Sequence, residues 1–386
     1  MSKLKELIAE FCPNGVEYYP LEEVATIKAR IGWQGLTKKE YLAKGEYYLV
    51  TGVDFENGKI AWDSCHFVTE ERYTQDANIQ LRNGDVLVTK DGTLGKVAFV
   101  EKMTKPATLN SGVFVIRPIN NTLDSRFLYH YLNSSFLMKF AQGQLTGGTI
   151  KHLNQGVIVR LPLPVPPLEV QREIVRILDS FTLLTAELTA ELTARRRQYE
   201  YYRNKLLSYD KRLPPIMLND IVVSISSGNN KERLYEGEFP VFGSTGIIAK
   251  TNTAVYDHEQ ILIARVGANA GYVHIARGQY DVSDNTLIID VKQGYLLKYI
   301  YYMLVNMNLN QYAKGGGQPL ITAGELKKLS ISMPKYEVQK RIVSVLDNFD
   351  TVCTDVNIGL PAEIEARQKQ YEYYRDKLLT FKELSK

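Results

Sequence analysis

The sequence predicts a mixed α/β chain arranged as a pseudo-two-fold internal repeat: two globular units separated by two long, antiparallel, coiled-coil-like helices. Three observations carry this. The block EVQREIVRIL at 169–178 returns as EVQKRIVSVL at 337–346, and QYEYYR is identical at 198–203 and 370–375. Around these blocks apolar residues recur in steps of three and four, the spacing of one helical face. Ahead of each lie short apolar runs broken by Gly, Asn and Asp, the pattern of strands and turns.

The chain has 386 residues, enough for two or three domains. Its 45% apolar and 23% charged content is that of an ordinary globular protein able to bury sizeable cores. Lys plus Arg is 47 against 43 for Asp plus Glu, a net charge of +4. That excludes a polybasic, histone-like binder. It leaves room for a local basic strip, which vanishes in such a sum.

Residues 1–165 form the expected first globular unit. Its opening, MSKLKELIAEF, lacks the apolar core of a signal peptide. GDVLVTKDGTLGKVAFV (84–100) reads strand, Gly-containing turn, strand, and TLNSGVFVI (108–116) reads as a further strand. Residues 166–212 form the first long helix, bounded by Pro166-Pro167 and Pro214-Pro215. Its seam is Ile174, Leu178, Phe181, Leu188, Leu192, Tyr199 and Tyr202. About 40 residues at ~1.5 Å each give a rod of ~60 Å. Residues 213–332 form the second globular unit, in which EQILIARVGANAGYVHIA (259–276) and SDNTLIID (283–290) repeat the strands of the first. Residues 333–386 form the second helix, with the seam Ile342, Leu346, Phe349, Ile364, Tyr371 and Tyr374. A break is expected at Gly359-Leu360-Pro361, with Pro361 in the first turn of the resumed helix.

Several chemistries have no sequence support. Cys12, Cys65 and Cys353 lie far apart with no metal-ligand spacing, which argues against a zinc site and suits a reducing cytoplasm. The apolar stretch 296–305 is too short for a membrane span. Gly92-Thr93-Leu94-Gly95-Lys96 has neither the spacing nor the final Ser/Thr of a P-loop and reads as a hairpin turn. Both Pro-Pro pairs are followed by apolar aliphatic residues, not by the aromatic of an amino-methyltransferase loop. No catalytic residue and no metal ligand is assigned. The chain is expected to bind and not to transform.

Two similar units on a fixed stem suit a bipartite linear target, and duplex DNA is one. The loops offer matching side chains. In the first unit these are Lys28, Arg30, Trp33 and Gln34, then Lys90, Thr93 and Lys96 at the hairpin turn. Gln144, Thr146, Thr149, Lys151 and His152 follow in a Gly-rich loop. In the second unit they are Ser227, Asn229, Asn230, Lys231, Arg265, Asn269, Lys314 and Gln318. Arg, Lys, Asn and Gln can bond base edges, while Ser and Thr serve phosphates. A coiled-coil scaffold that binds proteins without reading DNA is the competing class.

The helical blocks EIVRILDSFTLLTAELTAELTARRRQYEYYRNKLLSY and LPAEIEARQKQYEYYRDKLLTF resemble the central and C-terminal conserved regions of a type I restriction–modification specificity subunit. The two Thr-Ala-Glu-Leu copies at 185–192 make the resemblance closest to the IC class. CPNGVEYYPLEEVATI (12–27) resembles the opening of that family's first target-recognition domain, and FPVFGSTGIIAK, LIARVGANAGYV and DNTLIID resemble parts of the second. The resemblance implies two target-recognition domains, 1–165 and 213–332, and no catalysis or cofactor on this chain. It implies two modification subunits as partners, which use S-adenosylmethionine to methylate adenine N6. Restriction subunits using ATP and Mg²⁺ are implied as further members of such assemblies.

Overall fold

A computed structural model describes residues 2–143, 152–208, 213, 215–315, 317–355 and 357–384. They form two compact units: Met1–Glu187 with Ile364–Lys386, and Leu188–Glu363.

In unit 1 the strand Val113–Pro118 lies between Ala25–Ala29 and Val86–Thr89, antiparallel to both, and Val86–Thr89 pairs in turn with Val97–Phe99. All four residues of Val86–Thr89 are buried, so both faces of this sheet are covered. Side chains alternate along a strand, and the core divides accordingly. Val86, Val88, Phe114 and Ile116 face Phe127, Leu128 and Ile174. Leu87, Val113 and Val115 face Tyr48, Val50 and Phe55 in a second core. That second core is closed by a three-stranded sheet, in which Tyr47–Val50 runs parallel to Ala107–Leu109 and antiparallel to His66–Val68.

Unit 2 repeats the plan. Its four-stranded sheet has the order Val222–Ser227, Thr286–Val291, Gln260–Ala264, Val273–Ala276, antiparallel throughout. Ile261, Ile263, Leu287 and Ile289 point into one core, and Leu262 and Ile288 into another with Tyr280 and Val282. Again a three-stranded sheet contains one parallel pair, Phe239–Gly243 with Asp281–Val282.

Each sheet is followed by a helix on its larger core: α1, Ser125–Leu132, in unit 1, and a counterpart in unit 2. The first carries Asp124 as N-cap, its Oδ1 accepting from the amides of Arg126 and Phe127. Next in the chain comes α2, Leu168–Leu206, an unbroken helix of 39 residues that passes through both Thr-Ala-Glu-Leu copies. The unit 2 counterpart of α1 is α3, Leu297–Asn306. The second long segment is two helices, α4, Tyr336–Thr354, and α5, Leu360–Leu378. The expected break is present, and Pro361 is the second residue of α5. Gly359 is required there: a Cβ would lie 2.5–2.9 Å from the carbonyl oxygens of Thr351, Val352 and Asp355.

The helical seam is composite. Ile174 and Leu178 are buried in the unit 1 core, and Ile342 and Leu346 in the unit 2 core. Beyond them the helices meet through rings. In unit 1 Phe181 stacks on Tyr374 at 5.7 Å. In unit 2 Tyr199 and Tyr202 lie 6.2 and 5.8 Å from Phe349, while Arg195 and Arg196 act on Cys353. Numbers rise on one helix as they fall on the other, so this pair is antiparallel. Leu188, Leu192 and Ile364 are half-buried.

The last described residues complete unit 1. Leu378 and Leu379 enter its core. Val16 donates its amide to Lys382 and bridges Glu383, and the Tyr18 hydroxyl donates to the Phe381 carbonyl at 3.0 Å.

Candidate nucleic-acid interface

The two sheets end alike. In unit 1 the buried strand Val86–Thr89 leads straight into Lys90, whose amide donates to Gly112 and whose carbonyl accepts from Leu153, each at 2.9 Å. In unit 2 the buried strand Gln260–Ala264 leads into Arg265, whose amide donates to Asn285 and whose carbonyl accepts from Ile321, each at 2.9 Å. A basic residue thus leaves the same strand in both units, and three loops are stitched around it.

In unit 1 this brings together Lys90, Thr93, Lys96 and His152. Lys90 is half-buried, with its ammonium 5.4 Å from the Phe114 ring centre. Thr93 and Lys96 are exposed on the turn between Val86–Thr89 and Val97–Phe99, so this Gly-rich piece is a hairpin turn. The Lys96 amide donates to Thr89 Oγ1 at 2.9 Å, which fixes the turn. His152 Nδ1 lies 2.6 Å from Asp91 Oδ1. Gln144, Thr146, Thr149 and Lys151 lie outside the described residues.

The segment 28–34 behaves differently from expectation. Lys28 is exposed within the edge strand Ala25–Ala29. Trp33 lies in a single 3-10 turn, Gly32–Gln34. Gln34 is buried. Arg30 is corrected outright: it is 1% exposed and belongs to the core. Its Nε donates to the Leu109 carbonyl at 2.8 Å, Nη2 to Thr108 Oγ1 at 3.1 Å, and Nη1 to Gln75 Oε1 at 3.2 Å. With Nη2 donating also to the Arg72 carbonyl, four of the five guanidinium N–H groups are taken inside the protein, and the group is too buried to meet a base or phosphate.

In unit 2 Arg265 Nη1 donates to Ser227 Oγ at 3.4 Å, and its Nε is buried with no bond among the described residues. Asn269 and Gln318 are exposed on the flanking loops. Lys314 is exposed and pairs with Glu325 at 2.8 Å. With the Thr322 amide as second donor, that lysine holds the Glu325 carboxyl down at about 2. Asn229 and Lys231 are exposed, whereas Asn230 turns inward, its Nδ2 donating to Asp281 Oδ2 at 2.6 Å. Gly228 makes this loop possible: a Cβ would fall 2.3–2.4 Å from the carbonyl oxygens of Val282 and Ser283.

Sequence reasoning missed the third loop. Asn110 donates its amide to Val50 and its side chain to Tyr41, and Asn285 is exposed beside Arg265. The matching stretches TLNSG and SDNTL were the available signal.

A second repeated surface lies on the helices. Tyr201 and Tyr373 are 59% and 62% exposed, and Lys205 and Lys377 sit 5.7 and 5.6 Å from their rings. These are the tyrosines of QYEYYR that the seam leaves out. Among the described residues no group of three or more His, Cys, Asp or Glu could hold a metal ion, and no helix is long and apolar enough to cross a membrane. All three cysteines are buried, and burial pushes the Cys65 thiol up to about 12.

The profile of the type I restriction modification DNA specificity domain matches residues 13–195 and 216–366. The type I restriction enzyme EcoprrI specificity subunit of Escherichia coli is 32% identical over 366 residues, covering 88% of this chain and 89% of that one. A putative type I restriction enzyme specificity subunit of Haemophilus influenzae is 34% identical over 327 residues, covering 77% and 82%. Among solved structures, the type I S subunit of M. genitalium superposes with a TM-score of 0.58 at 16% identity, covering 95% of this chain and 96% of its own. A chain from a type I R-M assembly superposes at 0.60 with 17% identity, covering 95% and 98%. These two likenesses are of fold.

Proposed function

The chain belongs to the type I restriction–modification DNA specificity family, and from that premise we propose that it reads a bipartite, asymmetric DNA target for its complex. Residues 1–165 and 213–332 are the two target-recognition domains, one half-site each, and 166–212 and 333–386 are the conserved helices that act as spacer. The chain is the non-catalytic, DNA-recognising member of its system. The observation that carries the half-site reading is the loop cluster built twice around Lys90 and Arg265. Arginine can bond guanine O6 and N7 together, and lysine can serve the same edge or a phosphate. The clusters differ in side chains, so the half-sites differ.

The twice-repeated exposed Tyr-Lys pair on the helices supports two copies of one partner, the modification subunits. S-adenosylmethionine is then held by those subunits, and ATP and Mg²⁺ by restriction subunits where they join. The Thr-Ala-Glu-Leu pair supports the IC class, and three sparse, buried thiols suit the cytoplasm.

The deciding experiment maps N6-methyladenine in a methylation-free host carrying this chain with its modification subunit, against the modification subunit alone. A bipartite motif that needs this chain supports the proposal. An active modification subunit with no new motif would favour the scaffold class.

Arg265→Ala should weaken the second half-site roughly ten- to hundredfold, about 1–3 kcal/mol, and leave the first unchanged. Gln318→Ala should relax the same half-site. Competition binding with duplexes altered in one half-site at a time checks both, and equal losses at the two half-sites would mark these residues as structural.

One added Thr-Ala-Glu-Leu copy lengthens α2 by ~6 Å and turns it by little more than one full turn, so its apolar face is nearly kept. The methylated motif should retain both half-sites and widen its gap by about one or two base pairs at ~3.4 Å each. An unchanged gap in the methylation map would remove the spacer role.

A further inference from the structure

Each unit fastens the helix of its domain to a long helix through one carboxylate. In unit 1 Asp179 of α2 accepts from Arg126 Nε at 3.0 Å and pairs with His130 Nε2 at 2.9 Å, both on α1. The other ring nitrogen of His130 meets the Tyr371 hydroxyl of α5 at 3.2 Å. In unit 2 Asp347 of α4 accepts from Lys298 Nζ at 2.6 Å and from the Tyr302 hydroxyl at 2.7 Å, both on α3. The two aspartates occupy matched places in LDSF and LDNF, directly after the repeated apolar block. In each case the two donors are four residues apart, on one helical face.

The donors differ completely, Arg and His against Lys and Tyr, while the geometry is kept. That singles out the arrangement rather than any one pair. Around it the packing is apolar: Ile174 and Leu178 in unit 1, Ile342 and Leu346 in unit 2. Apolar burial is non-directional and permits a helix to roll or slide at small cost. A carboxylate engaged by two donors one turn apart fixes both rotation and translation, because hydrogen bonds have a preferred length and angle.

We propose that Asp179 and Asp347 are positioning residues that lock each recognition domain at one setting on its long helix, and so hold the unread gap to a single length. This rests on the bipartite reading above. Neither aspartate touches DNA in this proposal, so the half-site bases do not depend on them.

The test uses the full chain in its reconstituted methyltransferase complex. Methylation is measured on duplexes with both native half-sites and a gap that is native, one base pair shorter or one longer. Wild type should methylate the native gap alone. Asp179→Asn and Asp347→Asn should each keep the half-site bases but lose about tenfold in discrimination between gaps, or ~1.4 kcal/mol. Arg126→Gln and Lys298→Gln should do the same, while Arg126→Lys and Lys298→Arg, which keep the cation, should restore strictness. Because the units carry separate clamps, a variant that fails to fold in one leaves the other to decide. Activity that falls in equal proportion at every gap would overturn the proposal. A wild-type complex that methylates no bipartite motif would instead overturn the reading beneath it.

Discussion

Arg30→Met is expected to destabilise unit 1 strongly rather than merely blunt a DNA contact. Methionine keeps most of the apolar stem but none of the donors. The substitution strands the Leu109 carbonyl and the Thr108 hydroxyl inside the protein, where Arg30 now bonds them at 2.8 and 3.1 Å. A buried polar group left without its partner costs ~1–3 kcal/mol, so two of them make a loss of about 2–6 kcal/mol. Arg30 also joins the end of one sheet to the parallel pair of the other, so the damage should spread through unit 1. Amide exchange should show unit 1 protection collapsing while unit 2 keeps its own. A residue that merely touched DNA would lower affinity and leave exchange untouched.

Acid should attack unit 2 through His274. Its two ring nitrogens are buried with no bond among the described residues, and its ring lies 5.6 Å from Phe242 and 5.7 Å from Tyr272. Burial favours the neutral form and pulls the imidazole from 6.5 down to about 4. The unfolded chain takes up this proton near 6.5, the folded chain only near 4. Stability is therefore complete above pH 6.5 and is lost as the pH falls through that window, by ~1.4 kcal/mol per pH unit and about 3 kcal/mol in all. His274→Phe should flatten this dependence. The check is the pH profile of unit 2 amide exchange between pH 7 and 4, and an unchanged profile in the variant would exonerate the histidine. Burial also lowers His130, so unit 1 should show its own acid sensitivity, unaffected by that substitution.

Much of the architecture is local and so could be read in advance. The strand pairs Val86–Thr89 with Val97–Phe99 and Gln260–Ala264 with Val273–Ala276 flank turns visible as Gly-containing breaks in apolar runs. The helix break follows from Gly359 and Pro361. What stayed hidden depends on distant partners. Arg30 looks like any basic loop residue, because Leu109 and Thr108 lie almost eighty positions away. Asp179 and Asp347 look like ordinary polar positions of a repeated helix until α1 and α3 are packed against them. The parallel strand pairs escaped for the same reason: a parallel partner is reached only by a long crossover. Within the candidate interface, the chemistry of Lys90 and Arg265 was legible in the sequence. Their common station at a strand end follows from the repeated pieces 84–100 and 259–276, but the main-chain bonds that stitch the two other loops to it did not show in the sequence.

The segment that completes unit 1 has a consequence for synthesis on the ribosome. Unit 2 is continuous in the chain, whereas unit 1 takes residues from both before and after it. At ~5–20 residues per second, about ten to thirty-five seconds pass between the emergence of Glu187 and that of Ile364. During that interval the nascent first domain lacks Leu378 and Leu379 in its core and the strand partner of Val16. Unit 2 can mature first, and the first domain waits half-closed, with apolar surface open to chaperones. A ribosome stalled late in the message would therefore release a chain whose second domain is sound and whose first is sticky. Quality control would have one exposed patch by which to recognise the unfinished product.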